Sequence, residues 1–272
     1  MKRQRLNWQE KVRKNVRKIM DYEHVKAVFE EYLNGYDREN DKVKLKIVHT
    51  YGVNRCSEEI GRRMGLQAED MELAKLIALL HDIGRFEQLK RFNSFEADTM
   101  DHATYGVQVL FEEGMIRQFI EEDTWDDVIR TAIAKHSDYE LTGITDERTL
   151  LHARLIRDAD KLDNCRVKLE DAMETLLDLS ADEVGKYAIS PKVREDAFAG
   201  KCICSKDRRT PMDYWVSYVA YFYDLNFRET LDIVAEEQYV KRIIGRVPYT
   251  NEQTKKTMEE LERQLTEYVR RK

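Results

Sequence analysis

Apolar side chains recur along this chain at three- and four-residue steps, the spacing that gathers them on one face of a helix. One stripe runs through Leu45, Val48, Gly52, Val53, Cys56 and Ile60, and another through Ile129, Ala132 and Ile133. The run from Leu73 to Leu80, broken only by Lys75, is the most apolar segment in the chain and reads as a buried helix. The pattern predicts helices near 9–33, 42–64, 69–82, 102–122, 124–137, 147–178, 191–199, 211–234, 236–244 and 251–270. Two stretches lack clear periodicity, Gly84 to Asp101 and Gly200 to Pro211. Loops beside rigid helices often contact substrate, so those around 86–100 and 200–210 are expected to set specificity. The tyrosines Tyr214, Tyr218, Tyr221 and Tyr223 read as a helix packing on the body or on a second subunit, which leaves a homo-oligomer open.

Composition narrows the class. With 3 prolines and 11 glycines in 272 residues, the chain has too few turn formers for an all-β fold. A mean hydropathy of -0.67 and the absence of a long apolar run argue against a membrane span. No apolar stretch follows the basic N-terminus, so no signal peptide is expected. Cys56, Cys165, Cys202 and Cys204 are expected as reduced thiols in a cytoplasmic protein. Residues 1–20 carry eight basic side chains against Glu10 alone, although the chain as a whole has a net charge of -6. Trp8, Val12, Val16 and Ile19 fall at helical spacing, so this arm is expected to pack on the body and not to bind nucleic acid or membrane.

Candidate chemistry gathers in six residues: His49, the pair His81-Asp82, His102, His136 and Asp160. His49 and His136 lie on inward stripes, and His81-Asp82 closes the most apolar helix. A carboxylate at the inner end of a buried helix costs several kcal/mol, order of magnitude, unless its charge is compensated. A divalent cation held by imidazoles and carboxylates would compensate it. This donor set suits Mn, Fe, Co, Ni or Zn, and Mg less well. The candidates include no thiolate, which argues against a closed structural zinc site.

In order and context these residues resemble the HD superfamily of metal-dependent phosphohydrolases. The resemblance rests on His49-Thr-Tyr-Gly-Val53, His81-Asp-Ile-Gly-Arg85, His102-Ala-Thr-Tyr-Gly106, His136 and Ala159-Asp160-Lys161-Leu162-Asp163. It implies an all-α fold, an HD-domain helical bundle with an appended C-terminal helical region. Residues 1–40 would be basic N-terminal helices packing on the body, 41–180 the metal-binding core, and 181–272 a helical extension of the same domain. The resemblance also implies that His49, His81, Asp82 and Asp160 hold one divalent metal. Asp82 would bridge to a second one on His102 and His136, with Mn or Fe the leading candidates. Two such ions, ~3.5–4 Å apart, can clamp a phosphoryl group and activate water, so Asp82 counts among the catalytic residues.

Helical geometry turns Asp160 about 200° away from Asp158, so both cannot face one metal. Periodicity does not say which faces inward; the resemblance assigns the ligand to the aspartate of Ala-Asp-Lys, leaving Asp158 to solvent or to an arginine. Arg85 follows the His-Asp pair where relatives commonly place a basic residue. Gly84 is expected to end the helix there, and the guanidinium to fork onto a phosphate oxygen, as a catalytic and substrate-binding group. The alternative for Arg85 is a surface ion pair with Glu87. Lys161, Asn164 and Arg166 are further substrate-binding candidates, and Glu87 and Asp163 could orient ligands. His24, His152 and the Cys202/Cys204 pair are expected to have no role in the site.

The implied activity is divalent-metal-dependent hydrolysis of a phosphate ester or anhydride of a small molecule, with a nucleotide the leading expectation. The guanosine tetraphosphate hydrolases lack the His102 and His136 counterparts, and cyclic-di-GMP phosphodiesterases need a Gly-Tyr-Pro stretch absent here. Dinucleoside tetraphosphate hydrolases share the ordered ligand set. The rival reading in the same fold is a di-iron oxygenase using dioxygen. A third class, a binding or regulatory module, would hold its metal with no open coordination position.

Overall fold

A computed structural model describes residues 21–96 and 98–272, and every regular element among them is helical. The expected basic arm at residues 1–20 lies outside the described residues. The helices are α1 (Tyr22–Leu33), α2 (Asp41–Met64), α3 (Ala68–Leu80), α4 (Ile83–Phe92), α5 (His102–Val107), α6 (Asp126–Lys135) and α7 (Glu147–Glu170). They continue as α8 (Pro191–Phe198), α9 (Pro211–Ala220), α10 (Arg228–Glu236), α11 (Tyr239–Ile244) and α12 (Glu252–Arg271), with single helical turns between some of them. No helix among the described residues is long and apolar enough to cross a membrane.

Local sequence sets the ends of the two longest helices. The Asn40 side chain accepts from the amides of Lys42 and Val43 to start α2, and Gly65, at φ 71°, ends it in the left-handed region. Asp146 caps α7 through the Thr149 amide, and Thr210 with Asp213 forms a capping box ahead of α9. Helix α2 packs on α3 and α7, and α6 packs on α7. Leu76, Leu79 and Leu80 of α3 are completely buried in this bundle, each contributing roughly 1.5–3 kcal/mol. The C-terminal helices pack on one another and, through α10, on both α2 and α7.

Several expectations change. The stretch after Gly84 is a helix, because Ile83, Phe86 and Leu89 recur at three-residue steps and all are buried. Gly84 lies inside α4 and does not end a helix: a Cβ there would meet the His102 carbonyl oxygen at 2.2 Å and the Gly106 amide nitrogen at 2.7 Å. The helix expected over 102–122 is interrupted by a π-helical turn at Gln108–Glu112 and by Gly114 at φ 79°. The helix expected over 211–234 breaks at Tyr221–Asp224, where the chain turns inward to reach Asp158. Asp158 itself meets neither solvent nor an arginine. It is fully buried and accepts from the amides of Asn226 and Phe227, the Asn226 side chain and the Thr230 hydroxyl. Val48, expected on the inward stripe of α2, is 46% exposed.

Candidate metal centre

Helix α3 ends at Leu80 and α4 starts at Ile83, so His81-Asp82 occupies the corner between two helices. His49 faces this corner from α2, His102 from the first residue of α5, His136 from the residue after α6, and Asp160 from α7. The six side chains meet at a cavity of about 540 Å³, with His81 fully buried beneath it. They fall into two groups, His49/His81/Asp160 and Asp82/His102/His136. Within each group one potential ligand atom per residue lies within 4.8 Å of the others.

Hydrogen bonds fix how the imidazoles present themselves. His81 Nδ1–H donates to the Ala78 carbonyl at 2.7 Å, and His136 Nδ1–H to the Ile133 carbonyl at 2.7 Å. Each Nε2 is therefore left with its lone pair toward the cluster. His49 Nδ1 is bonded to Asp163 Oδ2 at 2.8 Å, and its Nε2 faces Asp160 Oδ1 at 2.9 Å. Gly52 makes room for this: a Cβ there would lie 1.9 Å from Asp163 Oδ1. Arg166 holds Asp163 from the other side at 2.9 Å.

Asp82 joins the two groups. Its Oδ2 lies 3.6 Å from His81 Nε2, while Oδ1 lies 3.2 Å from His102 Nε2 and 3.6 Å from His136 Nε2. Burial opposes its ionisation, but the Lys46 ammonium, at 2.6 Å from Oδ2, and the surrounding imidazoles hold the carboxyl well below its usual range. Burial works against Asp160 in the same way, and the His49 hydrogen bond reverses the balance, so this pKa is lowered too. Burial pulls His81 down to about 4, and burial with the Arg85 charge pulls His102 down to about 3. Anionic carboxylates and neutral imidazoles are the forms that bind metal.

A divalent metal fits this donor set. His81 Nε2 is buried without a hydrogen-bond partner among the described residues. Arg85 Nη2 donates to His102 Nε2 at 3.0 Å, so that nitrogen is an acceptor; it faces the His136 Nε2 lone pair at 3.1 Å. Two lone pairs and the Asp82 Oδ1 anion converge there, an arrangement that a cation between them relieves. His49, His81 and Asp160 could hold one ion, and Asp82, His102 and His136 another.

The other expected residues divide. Arg85 lines the cavity, partly buried, and donates to the Gln88 side chain and the Phe95 carbonyl; Glu87 pairs with Arg91 instead. Asn164 lines the cavity and donates to Asp160 Oδ1 at 3.0 Å. Lys161 and Arg166 are not brought to the cavity wall. The Lys161 ammonium sits on Asp224 at 2.7 Å, and Arg166 is spent on Asp163 and Glu170. His152 lies apart, bonded to Asp70 at 3.0 Å, and His24 meets the Gln118 carbonyl. Lys46 is absent from the candidates read in the sequence, although it sits one turn before His49 on the same helix, a spacing that could have revealed it. The tyrosine-rich helix α9 does more than pack, since Tyr214 and Tyr218 reach the cavity wall.

Residues 47–165 match the family model described as HD domain. Over that span the chain is similar to an HD domain, and helices α2 to α7 bring the six His and Asp side chains together there. No curated protein and no solved structure matched the chain.

Proposed function

We propose that this protein is a divalent-metal-dependent phosphohydrolase acting on a small phosphorylated molecule, with a nucleotide as the leading substrate class. The observation that carries the reading is Asp82, whose two oxygens face two separate groups of potential ligands beneath a cavity lined by cationic side chains. Divalent cations held there would lower the pKa of a water molecule and draw charge from a phosphoryl oxygen. The chain's own residues do the rest. Arg85, held by Gln88, Phe95 and His102, presents its guanidinium beside the cluster to a phosphate oxygen. Asn164 steadies Asp160, and Asp163 steadies His49. The cavity of about 540 Å³ is within the size range of small-molecule sites. Its basic lining residues, among them Lys42, Lys46, Arg85 and Lys168, favour an anionic substrate.

Metal analysis joined to a phosphate-release screen over nucleotides tests the proposal. Mn-stimulated release of inorganic phosphate supports it. Bound iron with oxygen consumption and no phosphate release would replace it with the oxygenase reading. Metal held tightly with neither activity would leave a binding module.

A further inference from the structure

Helix α7 runs along the cavity from the metal centre outward. Asp160, Asn164 and Lys168 all line the cavity, and their four-residue spacing sets them in a row on one face of the helix. Eight residues of helix put the Cα atoms of Asp160 and Lys168 ~12 Å apart. Lys168 is 6% exposed, and its ammonium stands 4.0 Å from the centre of the Tyr218 ring. Among the described residues it has no hydrogen bond or ion pair through that ammonium. Neighbouring basic groups have carboxylate partners: Arg157 and Lys161 share Asp224, and Arg166 holds Asp163 and Glu170. An unpaired buried ammonium is expensive, so a chain that keeps one needs a reason outside its own carboxylates.

The loop before α9 adds to the same excess of charge. Arg208 and Arg209 line the cavity; Arg208 stacks on Tyr214 at 4.2 Å and spends only Nε, on the Ser205 carbonyl. Glu96 and Asp178 also line the cavity but are exposed, and neither lies within 4 Å of the three basic groups. Tyr214 and Tyr218 give this end an aromatic wall.

We infer that the cavity contains a second anion subsite, built from Lys168, Arg208 and Arg209 beside Tyr218, and that the substrate carries two anionic groups separated by a spacer. One is the phosphate at the metal centre; the other is a phosphate or carboxylate that stays bound and does not react. The inference rests on the phosphohydrolase reading for the identity of the first group. It excludes simple phosphomonoesters with one charged end as the preferred substrates.

Non-hydrolysable probes separate binding from turnover. The Mn-loaded full chain is titrated calorimetrically with hexylphosphonate and with hexane-1,6-bisphosphonate. The bisphosphonate is expected to bind at least about tenfold more tightly, equivalent to roughly 1.4 kcal/mol. In Lys168→Met that ratio should collapse to near one, and Lys168→Arg should restore most of it. The double variant Arg208→Ala/Arg209→Ala should reduce it as well, and carries the test alone should Lys168→Met fail to fold. Equal binding of the two probes by the wild type, or a preference that survives these substitutions, would overturn the inference. Phosphate release from nucleotides without any bisphosphonate preference would sink the subsite and spare the hydrolase reading. An intact preference with no phosphate release from any ester would do the reverse.

Discussion

His81 and His136 are held in the same way from opposite sides of the cluster. Each lies just past the last turn of its helix and donates Nδ1–H to a carbonyl three residues earlier, at 2.7 Å, with the ring planes at 89°. The backbone thereby fixes both tautomers before any metal arrives, so each Nε2 is a ready ligand with little reorganisation to undergo. The two rings serve different groups, yet both face Asp82.

His81 belongs to the first group, and Asp82 faces both groups. His81→Ala and Asp82→Asn are each expected to lose bound metal and activity while far-UV circular dichroism keeps its helical signal. Full metal content and full turnover in both variants would end the metal-centre reading.

The second group tests the number of ions. His102→Ala/His136→Ala should lower metal content by about one ion per chain and cut turnover by orders of magnitude. His49, His81 and Asp160 are untouched and should keep the first. A wild-type chain that never exceeds one metal at saturating Mn or Fe would reduce the site to a single ion beside two packed histidines.

Arg85 separates phosphate binding from metal binding. A guanidinium cannot ligate a cation, so Arg85→Ala should leave metal content unchanged while kcat/KM for a phosphorylated substrate falls about tenfold or more. Arg85→Lys should recover little, because an ammonium cannot reproduce the fork that reaches Gln88 and His102 together. Unaltered kinetics would reduce Arg85 to a positioning contact for His102.

Lys168 makes a claim about stability. Burial pulls its ammonium from 10.5 down to about 8, so between those values the unfolded chain holds more protons than the folded one. Stability from this group therefore rises with pH across that window and is lowest below it. At pH 7 Lys168→Met should be more stable than wild type by up to about 3 kcal/mol, since a tenfold weakening of proton binding is worth about 1.4 kcal/mol. The gap should close as pH rises through the window. Urea denaturation at pH 7 and pH 10 measures it, and an equal difference at both would show that Lys168 is not a strained charge.

Helix type and most helix positions are legible in the sequence because apolar spacing is a local signal. The inward placement of His49 and His136 follows from the same stripes. Helix α4 is hidden because Gly84 reads as a terminator, whereas its bare backbone serves the approach of α5, a contact 18 residues away in sequence at His102. The break after Ala220 is hidden for a similar reason: its cause is the Asp158 carboxylate on another helix. Partnerships of charged groups are the least legible. Nothing local says that Lys161 is taken by Asp224 while Lys168, seven residues on, forms no ion pair among the described residues.

Asp158 and Asp160, two residues apart on α7, face opposite ways, one into the C-terminal helices and one into the metal centre. The helix is thus clamped from behind by the segment from Asn226 to Thr230, and removing that segment would strip the Asp158 carboxylate of every donor it has here and uncover the back of the helix. Anyone trimming the chain to the span matched by the family model would cut away the part that keeps Asp160 aimed. As a portable unit for grafting or redesign, the centre extends well beyond the residues that line it, and a sound excision must carry the backing as well as the face.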